Sequence, residues 1–254
     1  MKEWSLLCDH IASMKKAVVS FSGGIDSTVV LAAAVETLPD HIAVFADIPM
    51  LSKRQRAITN NVAKRLGADM VTVKLEWDDM EGVRDNTPEK CYFCKRAIYS
   101  EVKRIASENG YVHCLDGENI SDKSEDRPGR KAASEFGIIS PLMTLGFERD
   151  AVRKMFDHLQ LNIDVQKETC MATRIPEGVP FNDADILMID ECEEIIRNIS
   201  HVKQIRMRLR DNCANLLTSP DSIHKLIAKE NELSSALSVK GIHRITIDEK
   251  GYEG

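Results

Sequence analysis

Two groups of residues in this chain have the types and spacing to do chemistry. The first is the string Ser22-Gly23-Gly24-Ile25-Asp26-Ser27-Thr28. It follows a short β-branched run, Ala17 to Phe21, and precedes a helical stretch, Val29 to Leu38, that Pro39 ends. Two adjacent glycines let the backbone approach an anion without Cβ clashes. The helix N-terminus beyond them offers N–H groups and the positive end of a dipole, and the hydroxyls of Ser22, Ser27 and Thr28 add donors. Such a loop suits a phosphate. It has neither the Gly-Lys-Ser/Thr ending of a Walker A loop nor a Gly-x-Gly-x-x-Gly pattern. Asp26 inside an anion loop would repel phosphate unless it holds Mg²⁺ or aligns the loop. A plain capped turn is the alternative.

The second group is sulfur. The chain has seven cysteines, Cys8, Cys91, Cys94, Cys114, Cys170, Cys192 and Cys213, and no secretory signal at its start. A disulfide framework is therefore not expected, and metal, cluster or catalytic sulfur chemistry is. Cys91-Tyr92-Phe93-Cys94 is a C-x-x-C, and Cys170 stands far downstream in Thr169-Cys170-Met171-Ala172-Thr173-Arg174. A tetrahedral zinc site wants four ligands, and no second pair supplies them. Three thiolates would suit a [4Fe–4S] cluster with one iron open to an outside ligand such as sulfide. Spacing alone leaves cluster, zinc and neither open. Cys8, Cys114, Cys192 and Cys213 read as small buried hydrophobes.

Charged residues cluster around these two groups. Arg174, four residues after Cys170, suits a bidentate fork to a substrate carboxylate or phosphate, or else a structural ion pair. Arg206, Arg208 and Arg210 alternate along an expected strand and so project from one face. Of Glu191, Glu193 and Glu194 on the preceding helix, one is expected to face that site and the others solvent. Asp116, Asn119 and Asp122 are placed to ligate Mg²⁺ or meet an activated carboxylate, or simply to cap a turn.

Alternating elements must position these residues. Strands are expected at Ala17–Phe21, Ile42–Ala46, Met70–Leu75 and Tyr111–Leu115. Helices lie between them, one of them Tyr92–Glu108. This order indicates a parallel sheet covered on both faces, with ligands beyond the carboxyl ends of its strands. From about Phe181 the order becomes helix, strand (Val202–Leu209), strand (Ala214–Leu217), helix (Ser222–Leu237), strand (Ile242–Ile247). The fold class expected is α/β, with a parallel-sheet domain at 1–178 and a small α+β domain at 179–254. The 254 residues carry 34 Lys+Arg against 40 Asp+Glu, so the net charge of −6 disfavours nonspecific nucleic-acid coating. No apolar run is long enough to span a membrane. A cytoplasmic enzyme is expected.

The loop at Phe21–Ser27 resembles the pyrophosphate-loop (PP-loop) signature of ATP pyrophosphatases. Lys90-Cys91-Tyr92-Phe93-Cys94-Lys95, Asp116-Gly117-Glu118-Asn119-Ile120-Ser121-Asp122, Arg127-Pro128-Gly129-Arg130-Lys131-Ala132-Ala133, Cys170 to Gly178, Ile205-Arg206-Met207-Arg208 and Gly251-Tyr252 resemble segments of the LarE-type sulfur transferases within that superfamily. The resemblance implies a PP-loop fold and ATP with Mg²⁺. Ser22, Gly23, Gly24, Asp26, Ser27 and Thr28 would cradle pyrophosphate, with Asp47 near the adenosine. It also implies adenylation of a pyridinium dicarboxylate mononucleotide, then sulfur insertion on the way to a nickel-pincer nucleotide cofactor. Some members sacrifice a cysteine at the position of Cys170. Others hold a [4Fe–4S] cluster on cysteines matching Cys91, Cys94 and Cys170, and that form is expected here, with sulfide or another sulfur donor as partner. Arg206 and Arg208 match substrate-phosphate contacts, in a homo-oligomer whose subunits build the site together. The rival expectations are a tRNA-thiolating PP-loop enzyme, for which no RNA-binding module is recognisable, and an amide-forming synthetase.

Overall fold

Strands rich in Val and Ala that alternate with helices must bury both faces of a sheet, and the computed structural model has that arrangement. The structure describes residues 1–121, 128–165 and 169–252, so Asp122 and Arg127 lie outside the described residues. The chain divides into two units, one of Met1–Ile48, Arg54–Val83 and Pro88–Val165, the other of Pro49–Lys53, Arg84–Thr87 and Gln166–Gly254. Among the described residues no helix is long and apolar enough to cross a membrane.

The first unit runs α1 (Lys2–Ala12), β1 (Lys16–Ser20), α2 (Ile25–Thr37), β2 (Asp40–Asp47), α3 (Lys53–Leu66), β3 (Met70–Lys74), α4 (Lys90–Glu108), β4 (His113–Leu115), α5 (Pro128–Glu135), α6 (Pro141–Thr144) and α7 (Arg149–His158). Its four strands are parallel in the order β3-β2-β1-β4. In β1, Ala17 and Val19 pack with Leu7 and Ile11 of α1, Val29 and Val30 of α2, and Met155 of α7. Val18 points the other way, into Val102, Ile105 and Ala106 of α4. Period-2 alternation in one buried strand thus fills two cores. Every residue of α2 from Ser27 to Ala34 is buried, which is why this stretch reads as a continuous apolar run rather than a stripe. The architecture is α/β with a PP-loop-type parallel sheet, and the carboxyl ends of β1, β2 and β4 share one edge.

In the second unit, α8 (Asp183–Ser200) is followed by β5 (Arg206–Arg210), β6 (Cys213–Leu217), α9 (Ile223–Ile227), α10 (Glu230–Ser238) and β7 (Arg244–Ile247). Asn182 opens α8 through a reciprocal capping box. Its side chain accepts from the N–H groups of Ala184 and Asp185 at 2.8 and 3.2 Å, and the Asp185 carboxylate accepts from Asn182 N–H at 2.8 Å. β5 and β6 are antiparallel, joined by Asp211 (φ 49°) and Asn212 (φ 59°), two residues that tolerate the left-handed region a tight hairpin needs. β6 and β7 are parallel.

Several expected boundaries move. Residues 169–178 group with the second unit rather than the first, and Arg174 among them is bound to Glu193 of α8. The strand expected from Val202 begins at Arg206. His201 ends α8 in the left-handed region, and the Gln204 carbonyl is taken by the Thr218 hydroxyl at 2.6 Å. The single helix expected at 222–237 is two, α9 and α10, separated at Ala228–Lys229. Helices α5 to α7 fall where the sequence suggested no element; α5 and α6, at 8 and 4 residues, are too short to show a period.

Candidate functional site

In the first unit the anion loop is built by close backbone contact. Gly23 has φ +74°, and a Cβ there would stand 2.3 Å from Thr59 Oγ1 and 2.7 Å from the Thr59 backbone, so only glycine fits against α3. The Ser22 carbonyl accepts from Gln55 Nε2 at 2.6 Å and Thr59 Oγ1 at 2.9 Å. Ser22 Oγ and Ser27 Oγ are 3.0 Å apart, and Ser27 Oγ donates to the Gly24 carbonyl at 3.1 Å. Thr28, expected as a donor to phosphate, is fully buried and gives its hydroxyl proton to the same Gly24 carbonyl at 2.7 Å. It shapes the loop from behind. Gly24 begins α2 as its N-cap with no side-chain cap, which leaves the first N–H groups of the helix to the loop's concavity.

The turn after β4 closes over this loop. A Cβ on Gly117 would lie 2.5 Å from Ser27 N and 2.7 Å from Ser27 Cα. Asn119 donates to the Asp26 carboxylate at 3.1 Å, and the buried Asp116 carboxylate accepts from Tyr99 OH at 2.7 Å and Glu118 N–H at 3.1 Å. Asp116, Asn119 and Asp26 therefore share one edge, as expected. Asp47 also ends its strand on that edge, with its carboxylate held by Arg56 Nε at 2.6 Å.

Helix α4 leads into the same place. Cys91, Lys95 and Tyr99 follow one another at helical i, i+4 spacing, with Cys94 beside them. Cys91 is exposed and Cys94 half-buried. Lys95 faces the Tyr99 oxygen and the Asp116 carboxylate, and these hold its ammonium above the ordinary lysine range against the burial that would lower it. Burial, then the neighbouring Asp116, pushes the Glu118 carboxyl up, although Arg130 pairs with it at 3.3 Å. Sequence reasoning missed Lys95 as a site residue, yet it directly follows the C-x-x-C.

In the second unit, Cys170 caps a 3-10 turn, Met171–Arg174. Arg174 is 1% exposed, and its fork meets Glu193: Nε to Oε1 at 2.8 Å and Nη2 to Oε2 at 3.2 Å. Its Nη1 donates to the Thr169 carbonyl at 3.1 Å and Thr169 Oγ1 at 2.6 Å. The fork expected to meet a substrate anion is thus taken by Glu193. Glu193 is fully buried, paired also with Arg197 Nη2 at 3.3 Å, and accepts from Met207 N–H at 3.0 Å. Of the three glutamates, Glu191 pairs with Lys240 and Glu194 is exposed.

A cleft of about 470 Å³ lies between the turn at Thr173–Glu177 and the outward face of β5 and β6, with Arg208, Arg210 and Cys213 on its wall. Arg206, Arg208 and Arg210 stand opposite Leu217, Asn215 and Cys213. They share a face, as expected, but not an environment. Arg206 is buried and lies over the Tyr252 ring, 3.6 Å from its centroid, whereas Arg208 and Arg210 are exposed. Cys213, expected inside, is exposed, because Ala214 and Leu216 take the inward positions of β6.

No family model matches the chain. An uncharacterized protein of Methanocaldococcus jannaschii is 30% identical over 241 residues, 94% of this chain and 91% of the relative. The pyridinium-3,5-bisthiocarboxylic acid mononucleotide synthase of Lactiplantibacillus plantarum is 28% identical over 95% of this chain and 88% of its own length. An uncharacterized protein of a Synechocystis strain is 27% identical over 97% of this chain and 93% of the relative. The chain belongs to the LarE-type sulfur transferase family.

The LarE-type motifs fall on both units. The first holds the anion loop, the acidic turn and the C-x-x-C; the second holds Cys170 and the arginines of β5. None of the seven cysteines is in a disulfide. Among the described residues no three His, Cys, Asp or Glu side chains are gathered as a metal site. Cys8, Cys114 and Cys192 are buried, and burial raises the thiols of Cys8 and Cys192 to about 11. They are poor candidates for metal ligands or reactive thiolates. A residue that sequence reasoning passed over entirely is Asn86, buried at φ +53°, whose Nδ2 donates to the carbonyls of Pro176 at 2.8 Å and Val179 at 3.1 Å. It fixes the segment that follows Cys170.

Proposed function

We propose that this LarE-type chain uses ATP to activate a ring carboxylate of a pyridinium dicarboxylate mononucleotide and then exchanges the activated oxygen for sulfur. The observation that carries the reading is the loop at 22–28, a glycine cradle at an uncapped helix N-terminus with an aspartate held beside it. The name of the L. plantarum relative supplies the substrate class.

A carboxylate repels nucleophiles with its own charge, so it needs a leaving group. One carboxylate oxygen attacks the α-phosphorus of ATP, the bond to the β-phosphate oxygen breaks, and pyrophosphate leaves with its electron pair. The loop N–H groups and the dipole of α2 receive that charge. Asp26, oriented by Asn119, is the group to hold Mg²⁺ on the phosphates. A sulfur nucleophile then adds to the acyl carbon, AMP departs, and a thiocarboxylate remains. Arg208 at the cleft and Arg206 are the cations for the nucleotide's phosphate. Glu193 and Arg174 touch each other rather than substrate and act by holding the turn that begins at Cys170.

In this reading Cys91, Cys94 and Cys170, one exposed and two half-buried thiols, none of them bridged, would be the ligands of a [4Fe–4S] cluster. Such a group, when bound, supplies an open iron at which outside sulfide is held. Neighbouring copies of the chain are expected to complete the site.

The test is an anaerobic incubation with ATP, Mg²⁺, pyridinium-3,5-dicarboxylate mononucleotide and sulfide. AMP, pyrophosphate and a product carrying sulfur in place of carboxylate oxygen are expected in equal amounts. Pyrophosphate release that depends on tRNA and not on the mononucleotide would overturn the reading.

A further inference from the structure

We infer that Tyr252 is a positioning residue for the nucleotide's phosphate, bracing Arg206 from the end of the chain. The inference rests on the reading above, in which Arg206 meets that phosphate, and adds what prepares the guanidinium for it.

The three arginines of β5 differ in one respect. Arg208 and Arg210 are exposed, while Arg206 is 8% exposed and stacked face-on against the Tyr252 ring at 3.6 Å. A guanidinium bonds anions through its edge and stacks through its face, so a ring on the face does not compete with a phosphate for the edge. An exposed arginine must give up its rotamer freedom when it binds; a stacked one has already done so.

The segment carrying the ring is itself fastened. Tyr252 N–H donates to the Thr218 carbonyl at 2.7 Å, and Gly251 N–H donates to Asp248 at 3.4 Å. Gly251 sits at φ +71°, where a Cβ would stand 2.9 Å from that same Thr218 oxygen and 3.0 Å from Pro220 N. Thr218 in turn donates its hydroxyl to Gln204, two residues before Arg206, at 2.6 Å. The C-terminal segment, the end of β6 and the start of β5 form a closed chain of contacts that ends on the Arg206 guanidinium. Only glycine at 251 lets the segment lie this close, which explains why Gly251 and Tyr252 come as a pair.

The test is calorimetric titration of the full chain with pyridinium-3,5-dicarboxylate mononucleotide and with the corresponding riboside, which has no phosphate. Tyr252→Leu is expected to bind the mononucleotide roughly tenfold more weakly than wild type, the size of a partly buried cation–π contact. Its affinity for the riboside should not change, and Tyr252→Phe, which keeps the ring, should restore the mononucleotide. An equal loss for both ligands would make Tyr252 a general structural support, and unchanged or tighter binding would make it idle or a cover; each overturns the inference. Wild-type protein that binds neither ligand would overturn the substrate reading as well, and so separates the two failures.

Discussion

Arg174 and Glu193 meet in a two-pronged ion pair, 2.8 and 3.2 Å long, in which both side chains are 1% exposed. The pair joins the turn that starts at Cys170 to α8, and through Met207 N–H to β5. A buried pair of this kind adds little net stability, but removing one partner leaves the other charged and dry. Arg174→Met is therefore expected to lower unfolding free energy by about 3–5 kcal/mol, read as a shift of the urea midpoint. The double variant with Glu193→Leu should regain part of that loss, although Arg197 would then lack its partner. A single variant as stable as wild type would remove the pair's structural role.

Gly117 tests the loop without touching a polar group. A methyl there must push Ser27 N away from 2.5 Å, and a displacement of this order in a positioned group costs on the order of a hundredfold in rate. Gly117→Ala should depress pyrophosphate release by that factor while the far-ultraviolet circular dichroism stays that of wild type. Asp26→Ala should abolish pyrophosphate release and leave iron content unchanged. Loss of both activity and iron in Asp26→Ala would mean that the loop serves the fold rather than the nucleotide.

Thiol reactivity should sort the cysteines into two sets. At pH 8 a thiol at about 11, such as Cys8 or Cys192, is ionised to about one part in a thousand, against about a quarter for an ordinary thiol. Burial raises Cys114 as well. Iodoacetamide applied to metal-stripped, folded protein is expected to modify exposed Cys91 and Cys213 first, with Cys8, Cys114 and Cys192 last. Peptide mass mapping over time reads the order. Raising the pH toward 11 should speed the slow set more than the fast one, since its thiolate fraction is still climbing there.

Much of this was legible because local chemistry announces itself. Asn182 or Asp183 reads as a helix cap in sequence, and in space Asn182 is the cap, with Asp185 completing a capping box. The β-branched run at 17–21 reads as a strand in sequence and is one in space, and the glycines after it open the loop before α2. What sequence could not give is the set of contacts made by distant segments. Nothing near Gly117 says that Ser27 will press against it, and nothing near Arg206 says that Tyr252 will cover it while Arg208 stays exposed. Arg174 shows the limit of reading a residue by type: a fork that suits a substrate anion suits a buried glutamate equally well, and the neighbours of Glu193 decide. Cys213 differs for a simpler reason: side chains alternate along β6, and with Ala214 and Leu216 facing inward Cys213 faces out.

Metal content tests the three-thiol assignment directly. Anaerobically purified protein is expected to be brown, with about four irons per chain. Cys91→Ala, Cys94→Ala and Cys170→Ala should each lose colour and iron, because a cluster held by only two protein thiolates is poorly retained. Cys213→Ala is the control: Cys213, like Cys91, is exposed, so loss of iron there would show that exposure, not position, governs binding. Colourless wild-type protein with stoichiometric zinc after anaerobic reconstitution would reject the cluster. Iron-free protein that turns over once and loses the elements of hydrogen sulfide at residue 170 would instead make Cys170 the sulfur donor. The C-x-x-C would then have no part in the reaction, and replacing Cys91 or Cys94 should leave that single turnover intact.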